Sequence, residues 1–204
     1  MAIAQKDFKR MIAYSSIAHV GLIAAGIMAI NPGSGTEGIT GSIVQMFSHG
    51  INVVGLFLIA DIIFSRMGTF EMAKLGGIRN IAPMFTSLFL IITMGSVALP
   101  LTNGFVGEFL LISGVFDYSK VAAGFAGLTI ILGAVYMLRG FQSIMLGEIK
   151  SNTSSFTPLT SSETAVLVTI SAAVIFFGVY PKPILDLIQN DVQQLVISLK
   201  VVHP

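Results

Sequence analysis

The stretch Pro100-Leu-Thr-Asn-Gly-Phe-Val-Gly-Glu-Phe109 interrupts the longest apolar run in the chain. Read as one helix, residues 82–119 would be about 57 Å long at 1.5 Å per residue, whereas the apolar core of a bilayer is about 30 Å thick. Pro100 removes a backbone donor, and Gly104 and Gly107 permit dihedral angles that other residues resist. The sequence therefore predicts a discontinuous helix, broken near residues 100–107, with the carboxylate of Glu108 beside the break.

The composition excludes several classes of protein. Hydrophobic residues make up 54% of the chain and charged residues 10%, and the mean hydropathy is +0.87. Soluble domains carry about a quarter charged residues, so this composition indicates an integral membrane protein. The formal net charge of +1 gives no basic footprint for nucleic acid. The absence of Cys excludes disulfides, thiolate metal sites and cysteine nucleophiles, and no other metal-ligand spacing is present.

The apolar segments predict an all-α polytopic membrane protein with a single membrane domain over residues 1–204. Five transmembrane helices are expected at about 11–30, 39–64, 81–119 (the discontinuous third), 121–146 and 164–180. A C-terminal amphipathic helix is expected at about 184–202. Its apolar residues at helical spacing are Ile184, Leu187, Ile188, Leu195 and Leu199.

The distribution of Lys and Arg predicts the orientation. A cytoplasmic N-terminus places most of the cations on the cytoplasmic side, as the positive-inside rule expects. These cations are Lys6, Lys9, Arg10, Arg66, Lys74, Arg79, Lys150 and Arg139, against Lys120, Lys182 and Lys200 on the other side. The sequence therefore predicts a multi-pass protein of the cell inner (plasma) membrane with an extracytoplasmic C-terminus.

Three ionisable residues fall inside the predicted spans. His19 and His49 lie near the middle of the first and second spans, and Glu108 follows the break in the third. Each histidine alone could be a neutral imidazole bonded to a neighbouring helix. Ionisable groups at the bilayer centre cost several kcal/mol, however, and usually face a polar interior. Two such histidines with one carboxylate favour a pathway for protons or cations.

The remaining polar and small residues predict structural roles. Asp61 and Arg66 are expected to form an interfacial pair, and Arg139 with Tyr136 to stabilise the structure. The glycines scattered through the spans are typical of close helix packing. They include Gly21, Gly26, Gly124, Gly127 and Gly133.

Four stretches resemble a known family. They are Gln5-Lys-Asp-Phe-Lys-Arg-Met-Ile-Ala-Tyr-Ser-Ser-Ile-Ala-His-Val-Gly21, Gln45-Met-Phe-Ser-His-Gly50, Pro100 through Phe109, and Gly178-Val-Tyr-Pro-Lys-Pro-Ile-Leu-Asp186. Together they resemble the antiporter-like proton-pumping subunits of respiratory complex I (NADH-quinone oxidoreductase), and the chain 4 family, subunit M, among them. The resemblance covers essentially the whole chain but only the C-terminal part of the family's length. The first and second stretches are shared with multisubunit cation/proton antiporters and membrane-bound hydrogenases.

The resemblance implies the second half of an inverted-repeat antiporter-like fold, the last five of 14 helices. Glu108 matches the family's acidic residue on the second broken helix, and His19 and His49 match the histidines of its central hydrophilic axis. This implies a proton relay that forms the distal half-channel of the membrane arm. We expect the chain alone not to translocate protons, because the matching first break is missing.

The resemblance also implies partners. NADH, FMN, iron–sulfur clusters and quinone would be bound by partner subunits, with no cofactor or redox centre in this chain. The partners would be other membrane subunits of complex I, including sister antiporter-like subunits, and the lipid bilayer. A subunit of a cation/proton antiporter or hydrogenase, or a remnant that only packs against neighbours, remains an alternative.

Overall fold

The computed structural model describes residues 1–29, 35–151 and 153–202, with side chains described up to residue 198. Within these residues the chain is helical and contains no β-strand. Its α-helices are α1 (Phe8–Met28), α2 (Glu37–Met67), α3 (Pro83–Ser96), α4 (Asn103–Tyr118), α5 (Lys120–Met145), α6 (Ser161–Val179) and α7 (Lys182–Val202). Ile30, the predicted end of the first span, and the side chains of Leu199 and Lys200 lie outside the described residues.

Four of these helices, α1, α2, α5 and α6, are each long and apolar enough to cross a bilayer. α3 and α4 contain 14 and 16 residues, fewer than the roughly 20 that a helical span needs. Together they occupy the predicted third span, and the chain leaves helical geometry between Ser96 and Asn103. That this pair forms a fifth crossing stays a prediction.

The break lies a few residues before the predicted position and is built differently. Ala98 and Leu101 hold its left-handed positions, with φ of 54° and 74°. Gly104 and Gly107, expected to supply the unusual dihedral angles, lie inside α4 and have no positive φ. The prediction about these two glycines is therefore wrong. They serve packing instead, because a Cβ on Gly104 would strike the carbonyl oxygen of Gly95.

Protein packs against part of the break, whose Leu99 and Leu101 side chains are 47% and 68% exposed. The hydroxyl of Thr102 donates to the carbonyl oxygen of Leu99 at 2.6 Å, and the amide of Leu99 donates to that of Met94 at 3.1 Å. The end of α6 covers the outside, because Gly178 lies directly against the backbone of Leu101 and Thr102. The freed polar groups thus find partners within the chain.

α2 is the central helix and contacts α1, α3, α4, α6 and α7. Its closest neighbour is α4, because glycines on both helices remove the side chains that would separate them. Gly41 lies against the backbone of Leu111, Gly114 against Gly38, and Gly107 against Gln45. This approach fixes the register of α4 on α2 and so the height of Glu108.

A hydrophobic core fills the end of the bundle where α1 begins. Phe8, Phe85, Phe89, Phe141 and Phe156 pack there, with ring centroids 5.1–6.5 Å apart. Loops from the same end hold the core closed: the amide of Phe8 donates to the carbonyl of Phe70, and the amide of Gly77 to that of Leu146. We call this end of the bundle the α1-start face.

The amphipathic helix α7 packs on the start of α2 through a face that shares Ile188 with the predicted one but is otherwise shifted. Val192 and Val196 are buried against Ile39, with Ile188 beside them. Leu187 and Leu195, both expected on the apolar stripe, are 78% and 47% exposed. The true contact repeats every four residues, at 188, 192 and 196, which shifts the stripe around the helix.

Candidate proton site

Glu108 lies in the second turn of α4 and is 3% exposed. Its Oε1 accepts a hydrogen bond from Nε2 of Gln45 at 3.0 Å and lies 3.4 Å from Nε2 of His19. Its Oε2 is buried and has no hydrogen-bond partner among the described residues. An isolated buried carboxylate is costly, and these two contacts supply part of what water would otherwise provide. The site is therefore a buried carboxylate with one oxygen held and one free.

Oxygen atoms face His19 at both ring nitrogens. Nδ1 donates to the carbonyl oxygen of Ser15 at 2.8 Å, which fixes a proton on Nδ1. Nε2 lies 3.2 Å from the carbonyl oxygen of Ser96 and 3.4 Å from Glu108. A second proton can then sit on Nε2, giving an imidazolium–carboxylate pair, or on Glu108, giving two neutral groups. Both arrangements keep the hydrogen bond between His19 and Glu108, so the pair can hold one proton in two places.

His49 extends this pair along α2. Its ring stacks on that of His19, with centroids 5.0 Å apart and planes inclined by 24°. Its Nε2 lies 2.8 Å from the hydroxyl of Ser16. The three residues singled out in the sequence, on three different helices, are thus brought together in one cluster.

Tyr136 of α5 also belongs to this cluster. Its hydroxyl lies 2.8 Å from the hydroxyl of Ser15, the residue whose carbonyl holds His19. A cavity of about 10 Å³, room for one water molecule, lies beside it. Residues lining this cavity include Ala18, His19, Ser96, Glu108, Thr129 and Tyr136.

Sequence reasoning missed Gln45, Ser15, Ser16 and Tyr136 as members of the site. A signal was present for the first two: Gln45 precedes His49 by four residues, and Ser15 precedes His19 by four. Residues four apart share a helix face, so a polar residue one turn before each histidine marks the same polar stripe.

Several structural predictions need correction. Arg66 does not pair with Asp61, which is exposed, but with Glu163 of α6 at 2.7 Å. Arg66 also donates to the carbonyl oxygens of Thr157 and Pro158, so it fastens the loop before α6 to the end of α2. The long side chain of Arg66 carries its guanidinium to partners that are distant in the sequence, so the sequence alone does not identify them.

Tyr136 and Arg139 lie in different surroundings. Tyr136 points inward to Ser15, whereas Arg139 is exposed near the end of α5. The structural role predicted for Arg139 with Tyr136 stays a prediction.

The prediction that glycines allow close helix packing is right at Gly26. A Cβ added there would stand 2.4–3.1 Å from atoms of neighbouring helices. The prediction is wrong at Gly21, Gly124 and Gly127, where a Cβ would meet nothing within 4 Å in the described chain. These three lie on the outer sides of α1 and α5, so a small side chain is not required there by packing within the bundle.

Within the described ranges, no group of three or more His, Asp or Glu side chains could hold a metal ion. The cluster of His19, His49 and Glu108, with the neighbouring side chains that contact it, presents one carboxylate, two imidazoles, the amide of Gln45 and several hydroxyls. This set suits the transfer of protons, because each member donates or accepts a hydrogen bond and three members change charge.

Comparison with known proteins identifies close relatives by sequence. The chain is 43% identical over 200 residues to the NADH-quinone oxidoreductase subunit M of Rickettsia prowazekii, covering 97% of the chain and 40% of that protein. It is 40% identical over 197 residues to subunit M of Rhodobacter capsulatus, covering 96% and 38%. The chain thus spans about two fifths of the length of the curated relatives it matches.

Solved structures share the fold. A chain of respiratory complex I from Thermus thermophilus matches with a TM-score of 0.88 and 30% identity, covering 100% of this chain and 41% of that one. A chain of the Mrp complex from Dietzia sp. matches with a TM-score of 0.84 and 19% identity, covering 98% and 45%, which shows the fold alone. The family model described as NADH:quinone oxidoreductase/Mrp antiporter, TM, matches residues 1–134. The chain belongs to this family of antiporter-like membrane proteins.

Proposed function

We propose that this chain is a proton-translocating membrane subunit of a NADH:quinone oxidoreductase and carries the distal half of a proton channel. The observation that carries the proposal is the buried contact between Glu108 and His19, with His49 stacked behind it. Relatives named NADH-quinone oxidoreductase subunit M favour this machine over other members of the family.

The chemistry of the site supports proton transfer rather than a fixed ion pair. A proton moving between Nε2 of His19 and Oε1 of Glu108 changes two charges in a poorly hydrated place, so a nearby charge can shift its position strongly. The unpartnered Oε2 of Glu108 offers a second point at which a proton can arrive or leave. The ring of His49, stacked on that of His19, is the next titratable group in the cluster.

The orientation belongs to the same proposal. The α1-start face carries Lys6, Arg66, Lys74 and Lys150, which the positive-inside rule assigns to the cytoplasm. Glu108 lies just beyond the break that separates α3 from α4 and releases its proton toward the opposite, extracytoplasmic side. Electron transfer from NADH to quinone takes place in partner subunits, which hold the flavin, the iron–sulfur clusters and the quinone.

The test of Glu108 uses the assembled membrane complex that contains this chain. Glu108→Ala removes the carboxylate, and we expect NADH-driven acidification of vesicles to fall about 100-fold or more, since a positioned proton-transfer group contributes about 10²-fold or more. Quinone reduction falls with it where the two are tightly coupled. Asp117→Ala is the matched control, because Asp117 is an exposed carboxylate on the same helix, α4. Wild-type pumping by the Glu108→Ala complex would overturn the role of this residue.

The identity of the machine is tested by co-purification. Recovery of the chain with NADH-oxidising flavin and iron–sulfur subunits supports the proposal. Recovery with membrane subunits alone, together with cation-coupled proton exchange in vesicles, would replace it with a cation/proton antiporter.

A further inference from the structure

Two cavities meet at Tyr136. The small one lies beside Glu108 and His19, inside the bundle. The other, about 390 Å³, opens at the α1-start face and is lined by Gln5, Lys6, Glu71, Met72, Arg139 and Ser143, among others. Tyr136 lines both of them.

The hydroxyl of Tyr136 is placed to connect these cavities. It lies 2.8 Å from the hydroxyl of Ser15, and 3.7 Å from the point where a Cβ on Gly133 would stand. Gly133 itself lines the small cavity, so the hydroxyl borders that cavity too. The tyrosine is 6% exposed, so its side chain is almost wholly enclosed by the bundle.

The two cavities differ in what they hold. Lys6, Glu71 and Arg139 carry charges of both signs around the large cavity, and such a wall keeps it filled with water. The small cavity has room for one water molecule, and the free Oε2 of Glu108 is a ready acceptor for it. Among the residues that line these two cavities, Tyr136 is the one present in both walls.

We propose that Tyr136 gates a second aqueous access to Glu108, which runs from the α1-start face through the large cavity. The inference rests on the proposed function, since it takes Glu108 to be a proton-carrying group. It adds an entrance within this chain, on the face opposite to the proposed release.

The proton balance of the step is simple. A hydronium ion in the large cavity gives a proton to the hydroxyl oxygen of Tyr136, while the proton of that hydroxyl passes to the water in the small cavity. That water gives one of its own protons to Oε2 of Glu108, which changes from carboxylate to carboxylic acid. Rotation of the hydroxyl against Ser15 restores the starting state, so Ser15 is a positioning residue.

The first test asks whether the large cavity is open to water in the assembled complex. The chain contains no Cys, so Ser143→Cys introduces one thiol into the cavity wall, and its modification is read on this chain by mass. We expect a membrane-impermeant thiol reagent to modify it from the α1-start face and not from the other. Ser171→Cys is the matched control, because Ser171 is 4% exposed on α6 and lines neither cavity. A Ser143→Cys chain that stays unmodified from both faces would overturn the inference.

The second test removes the hydroxyl and keeps the ring. In the assembled complex we expect Tyr136→Phe to lower NADH-driven proton translocation about 100-fold. The solvent deuterium isotope effect on that rate should rise, because proton transfer then limits turnover; a purely structural loss would leave it unchanged. Ser15→Ala should act in the same direction by a smaller factor. Tyr118→Phe, at an exposed tyrosine on α4, should match the wild type.

Glu108→Gln, measured in parallel, separates the two levels of the proposal. Loss of pumping in Glu108→Gln with wild-type rate and isotope effect in Tyr136→Phe would overturn the second access and leave the proposed function standing. Wild-type pumping in both variants would overturn the proposed function, and the second access with it.

Discussion

Glu108 and His19 form the smallest unit that explains the site. The free energy of burying a lone carboxylate is several kcal/mol, yet Glu108 is 3% exposed with one oxygen unpaired. Its contacts with Gln45 and His19 offset part of this cost, whether the shared proton sits on the imidazole or on the carboxyl group. Such a pair stores a proton without committing it to one residue, which suits a relay better than a permanent ion pair.

A substitution at His49 tests whether the cluster of His19, His49 and Glu108 transfers protons or only packs the helices together. His49→Phe keeps a flat ring to stack on His19 but removes both nitrogens and the contact with Ser16. We expect proton translocation in the assembled complex to fall about tenfold while the amount of assembled complex stays unchanged. Met46→Leu, an exposed and volume-conserving change on the same helix, is the control. Pumping at the wild-type rate in His49→Phe would remove His49 from the relay.

The sequence allowed three site residues to be predicted because each is ionisable within an apolar run. Gln45, Ser15 and Tyr136 were not predicted, because neutral polar side chains are common in membrane helices and do not by themselves indicate a site. Only the packing of α5 against α1 brings Tyr136 to Ser15, 121 positions earlier in the chain. Contacts of that separation are set by tertiary structure and leave no local pattern.

Among the elements, the break between α3 and α4 shows what length arguments can and cannot predict. An apolar run too long for one span does predict a discontinuity. Its position depends on which residues adopt positive φ, and Ala98 and Leu101 do so although neither is glycine. The surrounding structure must hold them there, since each costs about 1 kcal/mol or more. The glycines nearby serve the contact of α4 with its neighbours instead.

The contact between α2 and α4 predicts that replacing a glycine by alanine lowers stability at this contact but not on the outer side of the bundle. In Gly107→Ala the new Cβ would stand 2.6–2.8 Å from Gln45, including its backbone nitrogen and Cα. We expect α4 to shift away from α2 and the free energy of unfolding to fall by about 1–3 kcal/mol. Thermal unfolding of the purified protein in detergent measures this change.

Gly124→Ala is the matched control for that experiment, because a Cβ there would meet nothing within 4 Å. Its helix should be unchanged or stabilised by up to about 1 kcal/mol, the difference in helix propensity between glycine and alanine. Equal unfolding temperatures for the two variants would contradict the packing assigned to Gly107.

At the scale of the whole molecule, the bundle has an apolar aromatic core at one end and a polar cluster in its middle. The aromatic core packs at the α1-start face, where the large cavity also opens, and the cluster of His19, His49 and Glu108 lies beyond it. The outer sides of α1 and α5 are apolar and exposed, as at Ile17, Val20 and Phe125. A surface of this kind suits lipid tails or other membrane helices, consistent with a chain that spans two fifths of its relatives.

The central claim is that Glu108 takes up and releases a proton during turnover. Infrared difference spectroscopy of the assembled complex, recorded as NADH is added, follows the C=O stretch of a carboxylic acid, which a carboxylate lacks. The account predicts a carboxylic-acid band that changes with turnover in the wild type, persists in Glu163→Gln and disappears in Glu108→Gln. A wild-type band that remains unchanged in Glu108→Gln would contradict it.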